Sequence, residues 1–261
     1  MLKIMVPGPA AALASLLIVC PAYAVHPLGT EDPGTADPLI LQTEVTGETH
    51  RFSDGSETDL GLALTTGIAP RLDISLNAGY VFLSPDEGAA RNGIGDLEVK
   101  LKWNFLEEKA SLPGLAVKFG TTLPVGDEKK GLGSGGYDLS AALIAGKTLG
   151  EVGIYLNLGY LRIDERAAGD KSAIFTASLA GKWEMIEALA LVGEVIYESP
   201  GADGEGDPVT MTAGLVWEIA DNFSVDFGGR AGLTDTAPDW SVLAGVNSTI
   251  GGVPPEEKRQ K

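Results

Sequence analysis

The sequence has very few of the residues that cross-link a fold or carry out acid–base chemistry. Its 261 residues include one cysteine, Cys20, and two histidines, His26 and His50. Disulfide bonds are excluded if the chain is cleaved after Ala24, because no cysteine then remains. We find no motif around either histidine that marks a catalytic group, and we expect His50 to lie at the rim of the fold. The protein is therefore predicted not to be an enzyme, and no cofactor or metal is implied.

Long apolar runs and an excess of positive charge are also missing. After residue 24, no stretch approaches the roughly 20 apolar residues that a membrane-spanning helix needs. Asp and Glu number 36 against 19 Lys and Arg, which gives a formal net charge of -17. Nucleic-acid binding needs a basic surface, so nucleic acid is excluded as a partner.

The first 24 residues have the pattern of a secretory signal peptide. Lys3 supplies a positive start, residues 10–19 are apolar, and residues 22–24 read Ala-Tyr-Ala, a typical cleavage site. The apolar run is too short for a transmembrane anchor. Val19 precedes Cys20 where a lipidation signal prefers a small residue, which favours cleavage after Ala24 over lipidation.

From Leu39 to Ile250 apolar residues alternate with small or polar ones, a period typical of β-strands. Clusters of Gly, Pro, Asn and Asp divide this region into about twelve strand-like segments. We place them at 39–52, 58–69, 71–84, 94–106, 114–124, 137–149, 152–164, 172–185, 188–199, 208–219, 223–232 and 240–250. A tilted strand needs about 9–11 residues to cross a bilayer, and these segments reach that length.

The two faces of each segment differ in chemistry. Between 97 and 105 the odd positions are Leu, Val, Leu, Trp and Phe, whereas the even ones are Glu, Lys, Lys and Asn. A Lys on the lipid side near the bilayer midplane costs about 2–4 kcal/mol, so the apolar face must point outward. The sequence therefore predicts an all-β fold, a transmembrane antiparallel up-and-down β-barrel of about twelve strands.

Aromatic residues and connections agree with this fold. Eleven aromatic residues lie on the outward parity, mostly toward strand ends, where they are expected to form two girdles at the membrane interfaces. These are Tyr80, Phe82, Trp103, Phe105, Tyr137, Tyr160, Trp183, Tyr197, Trp217, Phe223 and Trp240. Tight turns alternate with longer polar loops at 53–57, 85–93, 125–136, 165–171, 200–207 and 233–239, which are expected outside the cell.

Charged residues on the inward parity are the candidate functional group. The lumen-lining candidates are Asp96, Glu98, Lys100, Lys102, Lys118, Lys182, Glu184, Glu194, Glu218, Asp226 and Arg230. They either line a narrow aqueous path and tune its selectivity, or pair across strands and fill the interior. Twelve strands lie between the filled eight-stranded barrel and the open channel of 16–18 strands, so both alternatives stay open.

The segments that flank the barrel complete the domain organisation. Residues 25–38 are rich in Pro and Gly and are predicted to be a flexible N-terminal leader on the periplasmic side, with a plug inside the lumen as the alternative. The barrel itself is placed at 39–252. Residues 253–261 form a charged periplasmic tail, although many bacterial barrels end instead in an aromatic residue.

Two stretches resemble a known family. Gly93-Ile94-Gly95-Asp96 leads into the strand at 97–105, and residues 118–136 read KFGTTLPVGDEKKGLGSGG before Tyr137-Asp138-Leu139. This pattern resembles the meta-pathway phenol-degradation family of outer-membrane proteins. The resemblance implies a transporter-like β-barrel of the kind found with catabolism of aromatic compounds.

The expected function is a passive channel or transporter-like barrel in the outer membrane of a Gram-negative cell, for small molecules, with aromatic or hydrophobic compounds as candidates. A closed structural or surface-interaction barrel is the alternative, followed by a secreted soluble β-sandwich. Expected partners are outer-membrane lipid and lipopolysaccharide, periplasmic chaperones, the barrel-insertion machinery and an unidentified small-molecule solute.

Overall fold

A computed structural model describes residues 26–164 and 169–251. Its strands are β1 (Leu41–Phe52), β2 (Gly55–Ala69), β3 (Leu72–Pro85), β4 (Arg91–Ile94), β5 (Leu97–Leu106), β6 (Gly114–Leu123), β7 (Leu139–Leu149), β8 (Val152–Arg162), β9 (Ala173–Ile186), β10 (Leu189–Glu198), β11 (Val209–Ala220), β12 (Phe223–Gly232) and β13 (Trp240–Ile250). A 3-10 turn covers Glu128–Lys130. The predicted signal peptide and charged tail lie outside the described residues.

The strands form one closed antiparallel sheet. Each pairs with its neighbours in chain order, and β1 closes the ring on β13, from Leu41 opposite Ile250 to Arg51 opposite Trp240. Closure pairs the edge of β1 with the edge of β13, as hydrocarbon requires because it offers no other partner to N–H and C=O groups. Within the described residues, no helix is long and apolar enough to cross a membrane. The predicted β-barrel is confirmed.

The wall consists of twelve barrel strands, because β4 and β5 together form one interrupted strand. Both pair with β3, with Tyr80 opposite Ile94 and Asn77 opposite Glu98. Gly95 and Asp96 interrupt this strand between β4 and β5. The predicted segments match the observed strands to within a few residues. The predicted loop at 53–57 is wrong, because pairing continues to Phe52 opposite Gly55 and leaves a two-residue turn.

The two ends of the barrel differ. The end that carries the segments 86–90, 124–138, 199–208 and 233–239 is called the loop end here, and the opposite end, where β1 begins and β13 ends, is called the turn end. On the outer wall all eleven predicted girdle aromatics are exposed, from 37% for Phe223 to 61% for Tyr137. Lys100 and Lys102 are each only 2% exposed, on the opposite face. The predicted parity is confirmed.

Residues His26–Pro38, called the lumen segment here, differ from the predicted flexible leader. They lie inside the barrel, where Leu28, Thr30, Glu31 and Ala36 are 0–3% exposed. The composition correctly indicates a segment that forms no strand of its own. It does not show that the inner wall supplies partners for that segment, because those partners lie 29 to 200 residues away in the chain.

Candidate functional site

The lumen segment follows the inner wall of the barrel around most of its circumference. Its successive partners are Asp226 on β12, Glu194 on β10, Asn157 on β8, Lys118 on β6, Asn104 on β5, Asp73 on β3 and Gly67 on β2. The segment then enters β1 at the turn end. The site is therefore a polar lumen narrowed by the chain's own N-terminal residues.

Glu31 is the electrostatic centre of this arrangement. Lys102 and Lys118 lie directly opposite each other on β5 and β6, an arrangement that is destabilising without a counter-ion. The fully buried carboxylate of Glu31 forms an ion pair with Lys118 and lies 3.5 Å from the Lys102 ammonium. Asn157 orients the same residue by accepting its N–H at 2.8 Å and donating to its carbonyl at 2.9 Å. The lumen segment thus places a carboxylate between two lysines that face each other on neighbouring strands of the wall.

Glu194 holds the next turn of the segment through backbone groups. Its carboxylate accepts the Gly29 N–H at 2.8 Å and both the N–H and the hydroxyl of Thr30, at 2.8 and 2.9 Å. The guanidinium of Arg230 lies 3.7 Å from the other carboxylate oxygen. Hydrogen bonds to a charged acceptor are about twice as strong as neutral ones, so this contact positions the segment firmly.

His26 lies between carboxylates of two strands. Its Nδ1 contacts Asp226 on β12, and its Nε2 lies 3.4 Å from Glu48 on β1. Asn247 donates to the second oxygen of Asp226 at 3.0 Å. The described part of the lumen segment therefore begins in the middle of the barrel, held by charge on both sides.

Two prolines of the lumen segment pack against pairs of glycines in the barrel wall. Pro27 lies against Gly214 and Gly228, which are paired across β11 and β12. Pro33 lies against Gly114 and Gly146, which are paired across β6 and β7. A Cβ at Gly146 would lie 2.6 Å from Pro33 Cδ, well inside van der Waals contact. The wall is thus shaped to receive the segment.

Leu28 supplies the apolar part of the docking. It is buried against Ala180, Val192 and Val216, with Tyr155 packed at the edge of the cluster. Full burial of a Leu side chain contributes about 1.5–3 kcal/mol relative to leaving it in water. Apolar contact therefore adds to the polar contacts on either side of it.

The predicted lumen residues fall into three groups. Lys100, Lys102, Lys118, Glu194, Asp226 and Arg230 are buried inside the barrel. Glu98 lies 2.7 Å from Lys100, and Asp96 lies under the loop that joins β6 to β7. Lys182, Glu184 and Glu218 lie toward the turn end, where the Glu184 side chain is 64% exposed and Glu218 is also exposed. The inward parity thus identifies the lumen-facing side of each strand, and the burial of these side chains decreases toward the turn end.

Asp96 anchors that loop over the lumen. Its two carboxylate oxygens accept the N–H of Gly126 at 2.8 Å and of Ser134 at 2.7 Å. Leu132 of the loop is buried, and Asp138 at its end is 1% exposed. Burial raises the pKa of the Asp138 carboxyl above its ordinary value. The family-like motifs of the sequence therefore build one structure, a loop fixed inward at the loop end.

His50 is buried and does not lie at an exposed rim, because it packs between β1 and β13. Its Nδ1 lies 2.8 Å from the Ser241 hydroxyl, and its Nε2 lies 3.5 Å from Glu48 and 3.7 Å from Asp59. Serine, histidine and carboxylate are the groups of a hydrolase triad, but Ser241 is buried and lines none of the cavities described below. This contact joins two strands and presents no accessible nucleophile.

Sequence reasoning missed the groups that the lumen segment contributes, chiefly Glu31 and His26. One signal was available in the sequence. Lys102 and Lys118 share the inward parity of neighbouring strands, and such a like-charged pair is stabilised by a carboxylate close to both.

Three cavities lie on the loop-end side of the lumen segment. Cavity A, about 190 Å³, is lined by Glu44, Glu48, Glu57 and Asp59 among others. Cavity B, about 140 Å³, is bounded by the lumen segment and by Lys118 and Arg230. Cavity C, about 230 Å³, lies at the mouth between the loops. A and B share Glu44 and Glu48, A and C share Glu57, and B and C share Glu198 and Pro208.

Solved structures with the same barrel provide a comparison. An outer-membrane channel from Pseudomonas putida F1 aligns over 84% of this chain and 98% of its own, with a TM-score of 0.68 and 12% identity. The NanC porin aligns over 81% and 100%, with a TM-score of 0.56 and 8% identity. The KdgM porin in complex with oligogalacturonate aligns over 81% and 99%, with a TM-score of 0.54 and 11% identity. At these identities the likeness shows the fold of an outer-membrane β-barrel.

A comparison with curated proteins returned no match. A family model matches residues 27–250, which covers the barrel and nearly all of the lumen segment. The resemblance noted in the sequence is therefore confirmed. The chain belongs to the family described as "Putative MetA-pathway of phenol degradation".

Proposed function

We propose that this protein is an outer-membrane channel for small molecules and that the lumen segment controls passage through it. The observation that carries the proposal is the set of three neighbouring cavities A, B and C, which share lining residues. They run inside a closed wall from the loop end down to the lumen segment. A solute that enters at the loop end meets the lumen segment before it reaches the turn end.

The contacts of the segment suggest which part moves. Residues 26–31 are held by charged groups, by the Leu28 cluster and by the contact of Pro27 with two glycines, whereas residues 33–38 contact glycines of the wall and lead directly into β1. Charged contacts weaken when water enters, because the local dielectric rises. We infer that residues 26–31 swing away from the wall while residues 33–38 remain as the hinge.

The second candidate function, a closed structural barrel, is favoured by the number of buried contacts that hold the segment in place. The two functions differ in whether the segment ever leaves the wall. The family description points to phenolic or other small aromatic compounds as solutes, and we propose this class for the channel.

Localisation and assembly complete the proposal. Export by the predicted signal peptide delivers the chain to the periplasm. Periplasmic chaperones and the insertion machinery then place it in outer-membrane lipid, with lipopolysaccharide around the loop end. The apolar outer wall and the polar lumen support this placement.

The test is a reversible tether on the segment. Leu28 and Val192 belong to one buried cluster, so Leu28→Cys with Val192→Cys can be joined by oxidation, and the described residues contain no competing cysteine. Planar-bilayer conductance and uptake of a small phenol into liposomes are measured in the oxidised and the reduced protein. The single Leu28→Cys variant serves as the redox control.

Reduction is expected to raise conductance and uptake, because it frees the segment. If conductance and phenol uptake are equal in the oxidised and the reduced protein, the lumen segment does not control passage through the barrel. An absence of passage in both states favours the structural barrel.

A further inference from the structure

The walls of the loop-end cavities carry an excess of negative charge. Among the described residues, seven carboxylate side chains line cavity A and six line cavity C, and neither lining includes a Lys or an Arg. Glu57 is common to both, so the acidic surface is continuous from the mouth into the barrel. A route lined by one sign of charge concentrates solutes of the opposite sign.

The cations of the lumen balance only part of this acidic lining. Lys118 and Lys102 surround Glu31, whereas Arg230 lies near Glu48 and Glu194, and Lys100 lies 2.7 Å from Glu98. Of the cations that the structure describes, none lies within 4.0 Å of the Glu44 or Glu57 carboxylate. Two acidic groups of cavity A, Glu44 and Glu57, therefore have no cationic partner at ion-pair distance among the described residues.

Glu48 is an independent pointer to a ligand. Its side chain is only 10% exposed, and its Oε2 accepts no hydrogen bond from the residues that the structure describes. His50 and Arg230 form long ion pairs with this oxygen, at 3.5 and 3.8 Å, and His26 lies 3.4 Å from the other oxygen, distances that are too long for strong hydrogen bonds. The residue lines both cavity A and cavity B, so its carboxylate faces the point at which they meet. A buried carboxylate oxygen without a donor is costly, and a donor group of a bound solute removes that cost.

The same cavities have an apolar part. Leu62, Val81 and Leu161 line cavity A, and Leu161 also borders cavity B. A solute that fits must therefore combine a charged, hydrogen-bond-donating group with a compact apolar body.

We propose that the loop-end cavities bind and admit organic cations, namely an ammonium or amidinium group carried on a small apolar or aromatic body. This inference rests on the proposed channel function and adds compounds with a cationic nitrogen group to the aromatic solutes proposed above. The cationic group lies between Glu48, Glu57 and Asp59, and the apolar body packs against the three apolar side chains of cavity A. Organic anions of the same size are excluded by the acidic mouth.

The binding test uses purified full-length protein in detergent. Isothermal titration calorimetry compares benzyltrimethylammonium and benzylammonium with benzenesulfonate, a monocyclic anion. The variant is Glu57→Gln with Asp59→Asn. Its matched control is Glu151→Gln with Glu187→Gln, which removes the same charge from exposed positions at the turn end. Heat-modifiable gel migration shows whether each variant is folded.

Both ammonium probes are expected to bind and benzenesulfonate is not. Each carboxylate removed should weaken ammonium binding about fivefold, since one charge near a hydrated site contributes about that factor. Equal binding of the sulfonate, no binding of either ammonium probe, or unchanged binding by a folded variant overturns the inference. The comparison of cation with anion needs only the unmodified protein, so it holds even if a variant fails to fold.

Bilayer reversal potentials separate this inference from the channel function. Current with a preference for K⁺ over Cl⁻, reduced in the Glu57–Asp59 variant, supports both. Ammonium binding without current in any state of the lumen segment refutes the channel and leaves the cation site standing. Current without cation preference, together with no ammonium binding, leaves the channel standing and overturns the cation site.

Discussion

Replacing one glycine of the inner wall should release the lumen segment and leave the barrel intact. A Cβ at Gly114 would lie 2.9 Å from Pro33 Cγ, while its other neighbours are at the ordinary distance of 3.5 Å. In Gly114→Ala the clash therefore falls on the segment and not on the wall. Gly146→Ala adds a second clash with Pro33, at 2.6 Å, and also crowds Tyr155.

The size of the effect follows from the geometry. Carbon atoms in good contact are about 3.5–4.0 Å apart, so Pro33 must move by roughly 1 Å. Overpacking of this kind typically costs about 1–3 kcal/mol. A loss of about 2 kcal/mol in docking free energy raises the undocked population about 30-fold.

A cysteine reporter measures that population directly. Thr30 is fully buried in the docked segment, and the described residues contain no other cysteine, so Thr30→Cys gives a single labelling site. Its rate of reaction with a water-soluble maleimide follows the undocked fraction when docking is fast. We expect Gly114→Ala to raise this rate about 30-fold and Gly146→Ala to raise it at least as much.

The control is Gly79→Ala, which also faces the lumen. A Cβ at that position would meet only the Leu60 carbonyl oxygen, at 3.8 Å, and would not touch the segment. Labelling in this variant should equal that of the parent. If Gly114→Ala also labels at the parent rate in a folded barrel, the glycine pairs do not hold the segment and the reasoning fails.

Three further predictions concern the wall, the loop and the turn end. Leu101→Arg places a charge toward lipid and should lower the free energy of unfolding by about 2–4 kcal/mol in urea titrations of the protein in bilayers; an unchanged value contradicts the register. In Asp96→Asn the side-chain oxygen can still accept one of the two loop N–H groups, but the side-chain NH₂ faces the other N–H. The loop should lose about 1–3 kcal/mol of stability, so protease cleavage within 124–138 should be faster. The Glu108 carboxylate accepts the Thr148 N–H at 2.8 Å, and this bond, aided by Lys147, holds its pKa below the usual 4.5. Because the folded-state pKa is lowered, the bond stabilises the protein above pH 4.5 and this contribution disappears as pH falls through the lowered value; Glu108→Gln should therefore be less stable than the parent at pH 7, with a difference that shrinks at pH 3.

The wall of the barrel was predictable because its determinants are local. The alternation at 97–105 places Lys100 and Lys102 on one face, and a slip of one residue would turn both into lipid. The outward-facing aromatic residues and the strand boundaries follow from the same alternation of side-chain direction. The interruption at Gly95 and Asp96 was not predicted, since it depends on the Asp96 carboxylate reaching the loop amides of Gly126 and Ser134.

The inner arrangement was predicted only in part. Parity identified Lys118, Glu194, Asp226 and Arg230 as lumen residues, yet their partners are supplied by a segment whose composition indicates a flexible leader. Neither periodicity nor spacing relates Glu31 to Lys118, which lies 87 residues further along the chain.

By itself, the sequence determined an all-β chain with an oily face, a charged face and strands long enough to cross a bilayer, because side-chain direction in a strand alternates with each residue. Only the tertiary structure decided what occupies the interior. Closure of β1 on β13 brings residues from eleven strands around one short segment, and burial of its charges depends on distances that exist only once the ring is closed.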